Sequence, residues 1–173
     1  LIGEYARERR LFIPLEAIPK PVIQAFLAAE DKNFYQHSGV DYLGVIRAVF
    51  DNIYNSIAGR RLVGASTITQ QVAKNFLLSN EMSFERKIKE AILAYRIERA
   101  FDKDQILELY LNEIYLGQGT HPQGSYGVAA AALSYFGKAL GELTLAETAY
   151  LAALPKAPSN YHPVKHPEAA KGR

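Results

Sequence analysis

Helix punctuation constrains this chain more than any other feature. Apolar residues recur at helical spacing along most of its length, and residues that cap a helix start precede several of the runs. Thr67 with Gln70, Asp102 with Gln105 and Thr144 with Glu147 stand at the spacing where two side chains reciprocally satisfy exposed backbone N–H groups. Pro21 suits a first turn, Ser83 a cap, Gly137 a C-terminal stop and Pro155 a break. These marks predict helices over about 21–31, 42–57, 67–78, 83–101, 102–117, 125–136 and 144–154, with a basic connection at 58–61 and an irregular tail at 155–173. No segment alternates strongly enough for a sheet, and there is no internal repeat. The predicted class is mainly α.

With 173 residues, 49% of them hydrophobic, the chain can bury a core and is read as one domain over 1–173. Twenty basic against eighteen acidic residues give a net charge of +2, which lacks the broad basic field of a nucleic-acid binder, so any anion site must be local. The absence of cysteine excludes a disulfide framework and a thiolate zinc site. No stretch reaches the roughly eighteen apolar residues that span a bilayer. A start at Leu1 and an end at Lys171-Gly172-Arg173 suggest a domain excised from a longer, membrane-anchored protein.

Three segments carry candidate chemistry. In the first, Val22, Ile23, Phe26 and Leu27 form an apolar helical stripe, and Glu30 projects between Phe26 and Ile23. A carboxyl group held partly out of water has its charged form disfavoured, which moves it toward the range useful for proton transfer. Glu30 is therefore a candidate acid or base, with an ordinary surface carboxylate at a frayed helix end as the alternative. Asp31, Phe34, His37 and Gly39 follow as E-D-x-x-F-x-x-H-x-G, where His37 reads as a structural hydrogen-bonding group or as a base. In the second segment, GASTITQQ and Lys74, the amides of Gln70 and Gln71 share a helix side with Lys74; such a face suits sugar hydroxyls or phosphate, or is simply solvated. In the third, Arg86, Lys87 and Glu90 lie on a helix whose main apolar stripe is Phe84, Ile88, Ala91 and Tyr95. Leu93, Ala94 and Ile97 flank the charges, so the helix is expected to be interior with Glu90 lining a cleft; the alternative is a local ion-pair cluster. Two carboxylates in different settings, with cations and amides between them, suit glycosyl transfer with a phosphate leaving group.

These segments together resemble the peptidoglycan glycosyltransferase domain of class A penicillin-binding proteins and monofunctional transglycosylases. The resemblance rests on EDKNFYQHSG at 30–39, GASTITQQVAKN at 64–75, RKIKE at 86–90, KDQILELYLNEIYLG at 103–117 and AETAYLAALPKAPSNYHP at 146–163. It implies a lysozyme-like helical fold with a long active-site cleft at the outer surface of the cytoplasmic membrane. It also implies an enzyme that polymerises lipid II into β-1,4 glycan with inversion, releasing undecaprenyl pyrophosphate. Glu30 would be the general base on the acceptor 4-hydroxyl. Glu90, Arg86, Lys87 and Lys74 would hold the donor pyrophosphate; Ser66, Thr67, Gln70 and Gln71 would meet sugars and the pyrophosphate edge; Asp31, Phe34 and His37 would support them.

The resemblance leaves magnesium or manganese open as a pyrophosphate-bound cation near Glu90, and implies no organic cofactor. Implied partners are lipid II, the growing lipid-linked glycan, the membrane and a transpeptidase domain in the parent chain, with no nucleic acid. An apolar surface rimmed by Arg47, Arg60 and Arg61 is expected over 40–63. Two departures stand out: an insertion from Thr120 to Gly124, and Met82 where many relatives carry a basic residue. The rival readings are a lytic transglycosylase of similar architecture, which would not need the Gln70-Gln71-Lys74 and RKIKE segments, and a non-catalytic module binding lipid-linked precursor, which would not need a base.

Overall fold

The computed structural model describes residues 9–59, 64–77, 83–118, 124–158, 160–161 and 168. Among them are seven α-helices: α1 (Lys20–Glu30), α2 (Tyr42–Ile57), α3 (Ile68–Leu77), α4 (Phe84–Ala100), α5 (Lys103–Glu113), α6 (Val128–Phe136) and α7 (Leu145–Ala153). The two short strands, β1 (Arg9–Arg10) and β2 (Ser125–Tyr126), pair in parallel, Arg9 opposite Ser125 and Arg10 opposite Tyr126. The protein is mainly α, as the sequence predicts.

The caps form as their spacing requires. Thr67 N–H donates to Gln70 Oε1 at 3.0 Å while Gln70 N–H donates to Thr67 Oγ1 at 3.1 Å. Asp102 and Gln105 exchange the same pair of bonds at 3.0 and 2.8 Å. Ser83 Oγ accepts Arg86 N–H, and Thr144 with Glu147 completes the last box.

Two boundaries differ from expectation. Helix α5 stops at Glu113 rather than near Gly117, because the backbone beyond it leaves the helix to pair: Leu116 N–H donates to Ser125 O at 2.9 Å and Ser125 N–H to Gly117 O at 2.7 Å. For the same reason α6 starts at Val128, not Ser125, with Gly127 at φ +80° turning the chain against the backbone oxygen of Asn112. Of the insertion, only Gly124 lies among the described residues, and Met82, Arg60 and Arg61 lie outside them.

The chain divides into two compact units, the first comprising Leu1–Glu30 with Leu107–Arg173 and the second Asp31–Ile106. In the first, α1 packs on α7, and α6 packs on β2 and α7. Phe26 meets Tyr110 edge-on at 6.4 Å, and both are buried, a burial that stabilises by about 1.5–3 kcal/mol for a large apolar side chain. Asn112 straps the N-terminal segment down, accepting Ile13 N–H at 2.8 Å and donating to Ile13 O at 2.9 Å. Beyond α7, Leu154–Lys156 is a 3-10 turn, and Tyr150 donates its hydroxyl to Tyr161 O.

In the second unit α3 packs on α4. Helix α4 buries Glu90 and Ala94 and leaves Phe84, Ile88 and Tyr95 exposed. This corrects the expectation of an interior helix with Phe84, Ile88, Ala91 and Tyr95 as its core stripe. The reason lies in close approach: Gly39, at φ +95°, lies so near the backbone of Ala94 that a Cβ on it would stand 2.9 Å from the Ala94 carbonyl carbon. That contact turns the small-residue face inward.

Candidate functional site

Two linked clusters in the second unit gather most of the predicted residues. The first is built around Asp31. Its buried carboxylate accepts Ile68 N–H at 3.0 Å, at the opening turn of α3, and lies 3.0 and 3.1 Å from His37 Nε2. A carboxylate at a helix N-terminus satisfies an otherwise orphaned donor and complements the helix dipole. Thr67 Oγ1 donates to Gly39 O at 2.6 Å, which fastens the start of α3 to the loop after His37. His37 Nδ1 is buried with no hydrogen-bond partner, and Phe34 is buried with its ring edge-on to the imidazole. Asp31, Phe34, His37 and Thr67 thus form the frame of the E-D-x-x-F-x-x-H-x-G loop.

The second cluster joins the residue before Thr67 to α4. Lys87 Nζ donates to Ser66 Oγ at 2.9 Å and to Glu90 Oε1 at 2.6 Å. Arg86 Nη1 lies 3.5 Å from Glu90 Oε2 without a hydrogen bond between them. The Glu90 side chain is only 2% exposed, against 13% for Arg86 and 47% for Lys87. Arg86 Nε, Arg86 Nη1 and Glu90 Oε2 are buried and have no hydrogen-bond partner. Buried polar atoms are almost always paired, so a guanidinium with two idle nitrogens marks a place where an acceptor belongs. Two cations against one carboxylate leave one net positive charge.

Elsewhere on α3, Gln70 is buried with its Oε1 held by the cap, Gln71 is half-buried and Lys74 is exposed in the last turn. Of these three, Gln71 and Lys74 reach toward solvent. Glu30 is the last residue of α1 and of the N-terminal segment of the first unit, half-buried beyond the buried Val22 and Phe26.

Two groups escaped sequence reasoning. Asp41 caps α2 through Gly44 N–H at 2.8 Å and accepts Asn33 Nδ2 at 3.1 Å; these bonds, the backbone one foremost, hold its carboxyl below the ordinary value. The Asp-x-x-Gly spacing could have revealed that cap. Glu98 accepts Thr69 Oγ1 at 2.6 Å and Lys103 Nζ at 2.7 Å, and the same ammonium stands 4.3 Å from the centre of the Phe34 ring. No local signal joins residues so far apart in sequence.

Known proteins bear on the whole chain. Residues 1–173 match the family described as Transglycosylase. The chain is 60% identical over its full length to penicillin-binding protein 1A of Rickettsia felis, of which it covers 21%. It is 56% identical to that of Neisseria flavescens and 53% identical to that of Aquifex aeolicus, again over its full length, covering 21% and 23% of them. The chain therefore spans about a fifth of the length of these relatives. A crystal structure of penicillin-binding protein 1A from Haemophilus influenzae is similar at 30% identity and a TM-score of 0.49, covering 99% of this chain and 15% of that one. Matched from end to end by one family, and more than half identical to these relatives across all 173 residues, this chain belongs to the Transglycosylase family.

Proposed function

We propose that this domain is a peptidoglycan glycosyltransferase that polymerises lipid II into β-1,4 glycan. The observation that carries the reading is the Ser66–Lys87–Glu90–Arg86 cluster, a cationic patch whose guanidinium has buried, unused donors. Such a patch suits the pyrophosphate of a lipid-linked sugar, and on this reading Lys74, exposed on α3, adds a further cation.

In the proposed step, the 4-hydroxyl oxygen of the acceptor sugar attacks the anomeric carbon of the donor chain. Glu30 takes the hydroxyl proton. The bond from the anomeric carbon to the pyrophosphate oxygen breaks with its electron pair left on that oxygen, and the anomeric centre inverts. Arg86 and Lys87 neutralise the charge that develops on the leaving group. Gln71 and Ser66 contact the sugars and the pyrophosphate edge, while Asp31, Phe34, His37, Thr67 and Gln70 hold their backbone in place.

A divalent cation finds no carboxylate cage here. Among the described residues no group of three His, Cys, Asp or Glu could hold a metal, and Glu90 is engaged by Lys87 and Arg86. A magnesium or manganese ion on this reading would be held by the pyrophosphate, near Glu90, and not by a cage of these side chains.

Membrane contact belongs to the same reading. Helix α2 exposes Tyr42, Leu43, Ile46, Phe50, Ile53 and Ile57 and buries only Ala48, with Arg47 on its surface. A helix this apolar on its outer faces suits the interface of a bilayer that carries the prenyl-linked substrate. We place the domain on the outer face of the cytoplasmic membrane, in a parent protein that also carries a transpeptidase domain. The test is direct: the protein incubated with lipid II yields lengthened glycan. Shortening of finished glycan with no polymer from lipid II would replace this reading with a lytic one.

A further inference from the structure

We infer that Glu90 is a built-in competitor for the pyrophosphate, a carboxylate that keeps Lys87 and Arg86 occupied between turnovers and so sets how readily the leaving group departs. The inference rests on the pyrophosphate reading of this cluster and adds regulation to it.

The asymmetry of the cluster carries the argument. Glu90 is the fixed member, with its side chain 2% exposed on the inward face of α4. Lys87 is the movable one, at 47% exposed, and its ammonium divides its bonds between Glu90 Oε1 at 2.6 Å and Ser66 Oγ at 2.9 Å. Arg86 faces Glu90 Oε2 at 3.5 Å without a hydrogen bond and keeps Nε and Nη1 idle. An arriving phosphate oxygen therefore finds donors ready on Arg86 but must share Lys87 with a buried carboxylate that cannot follow it into water. Leaving that carboxylate unpaired is costly, so Lys87 is drawn back to Glu90 whenever the anion loosens.

Charge balance supplies the reason for such a device. In the donor the pyrophosphate is esterified at both ends; when the anomeric bond breaks, the product keeps the bonding electrons and carries one more negative charge. A purely cationic site would hold the product more tightly than the donor and stall after each addition. The Glu90 carboxylate opposes every anion in the site, and opposes the more highly charged product most. Glu90 thus acts through Lys87 and Arg86, as a positioning residue.

The experiment is calorimetric titration of inorganic pyrophosphate into the 173-residue protein in chelator-containing buffer. The proteins compared are wild type, Glu90→Gln, Glu90→Asp and the double variant Lys87→Gln/Glu90→Gln, whose two changes remove the Lys87–Glu90 pair together and leave Arg86 as the cation of the cluster. Glu90→Gln is expected to bind pyrophosphate tighter by roughly tenfold to a hundredfold. The double variant should fall back to wild-type affinity or below. In lipid II turnover, kcat and KM of Glu90→Gln should fall together, with stronger inhibition by added pyrophosphate, a split that mere structural damage does not produce.

Equal or weaker binding by a folded Glu90→Gln overturns the inference. If Glu90→Gln does not fold, Glu90→Asp, whose shorter arm loosens the hold on Lys87, should bind severalfold tighter, and unchanged binding there overturns it equally. The wild type gives a reading that needs no variant: the Glu90 carboxylate 13C signal should move on addition of pyrophosphate, and a signal that stays in place at saturation contradicts competition. Failure of the underlying site reading has its own signature, a double variant that binds as tightly as Glu90→Gln, since Lys87 would then have no part in anion binding.

Discussion

Gly39 and Gly137 both hold positive φ, at +95° and +65°, yet a methyl group added to each meets different surroundings. At Gly137, which ends α6, nothing stands within 4 Å, so Gly137→Ala should cost only the left-handed strain, about 1–2 kcal/mol. At Gly39 the new Cβ would also press on the Ala94 carbonyl, and overpacking of that kind adds about 1–3 kcal/mol. Urea unfolding midpoints should therefore fall further for Gly39→Ala than for Gly137→Ala, and equal midpoints would mean that the Gly39–Ala94 approach is not tight. The stop at Gly137 was legible from its place after an apolar run. The demand at Gly39 was not, because it comes from a backbone far along the chain. The site contacts divide in the same way: helical spacing named a local ion-pair cluster around Glu90, whereas the Asp31–His37 and Ser66–Lys87 contacts needed the fold.

Local chemistry decides helix ends, and α7 shows how far it reaches. Thr144 accepts Glu147 N–H, and Glu147 Oε2 accepts Thr144 N–H at 2.7 Å, while Glu147 Oε1 takes Lys138 Nζ at 2.7 Å. Thr144→Ala should lower stability by about 1 kcal/mol, with Thr144→Ser restoring most of it, as read by thermal unfolding. Lys138 first, then the Thr144 backbone, hold the Glu147 carboxyl down at about 2 against an ordinary 4.5. A lowered value means that the contribution is present above pH 4.5 and is lost as pH falls toward 2. The acid limb of a stability-against-pH curve should accordingly be shallower for Glu147→Gln; an identical limb would contradict the pairing. Boundaries failed where tertiary pairing overrode the local pattern, at 114–117 and 125–127, and on α4, where periodicity named an apolar face but could not say whether anything covers it.

At the scale of the whole molecule, the cationic cluster, the Asp31 frame and the apolar α2 all belong to the unit of residues 31–106, and Glu30 closes the last α1 turn just before it. No helix among the described residues is long and apolar enough to cross a membrane. The triple change Phe50→Ser, Ile53→Ser, Ile57→Ser should weaken sedimentation with anionic lipid vesicles at least tenfold while sparing polymerisation in detergent, since about 25 cal/mol is lost per Å² of apolar contact withdrawn. Unaltered vesicle binding would remove α2 from the membrane contact. The central claim, that Glu30 is the base of a lipid II polymerase, is tested most directly by comparing purified wild type and Glu30→Gln for polymer formed from lipid II. A positioned base contributes about 10²–10⁴-fold, so Glu30→Gln should lose at least a hundredfold in rate with pyrophosphate binding nearly intact. A Glu30→Gln protein that polymerises at close to the wild-type rate would contradict the assignment.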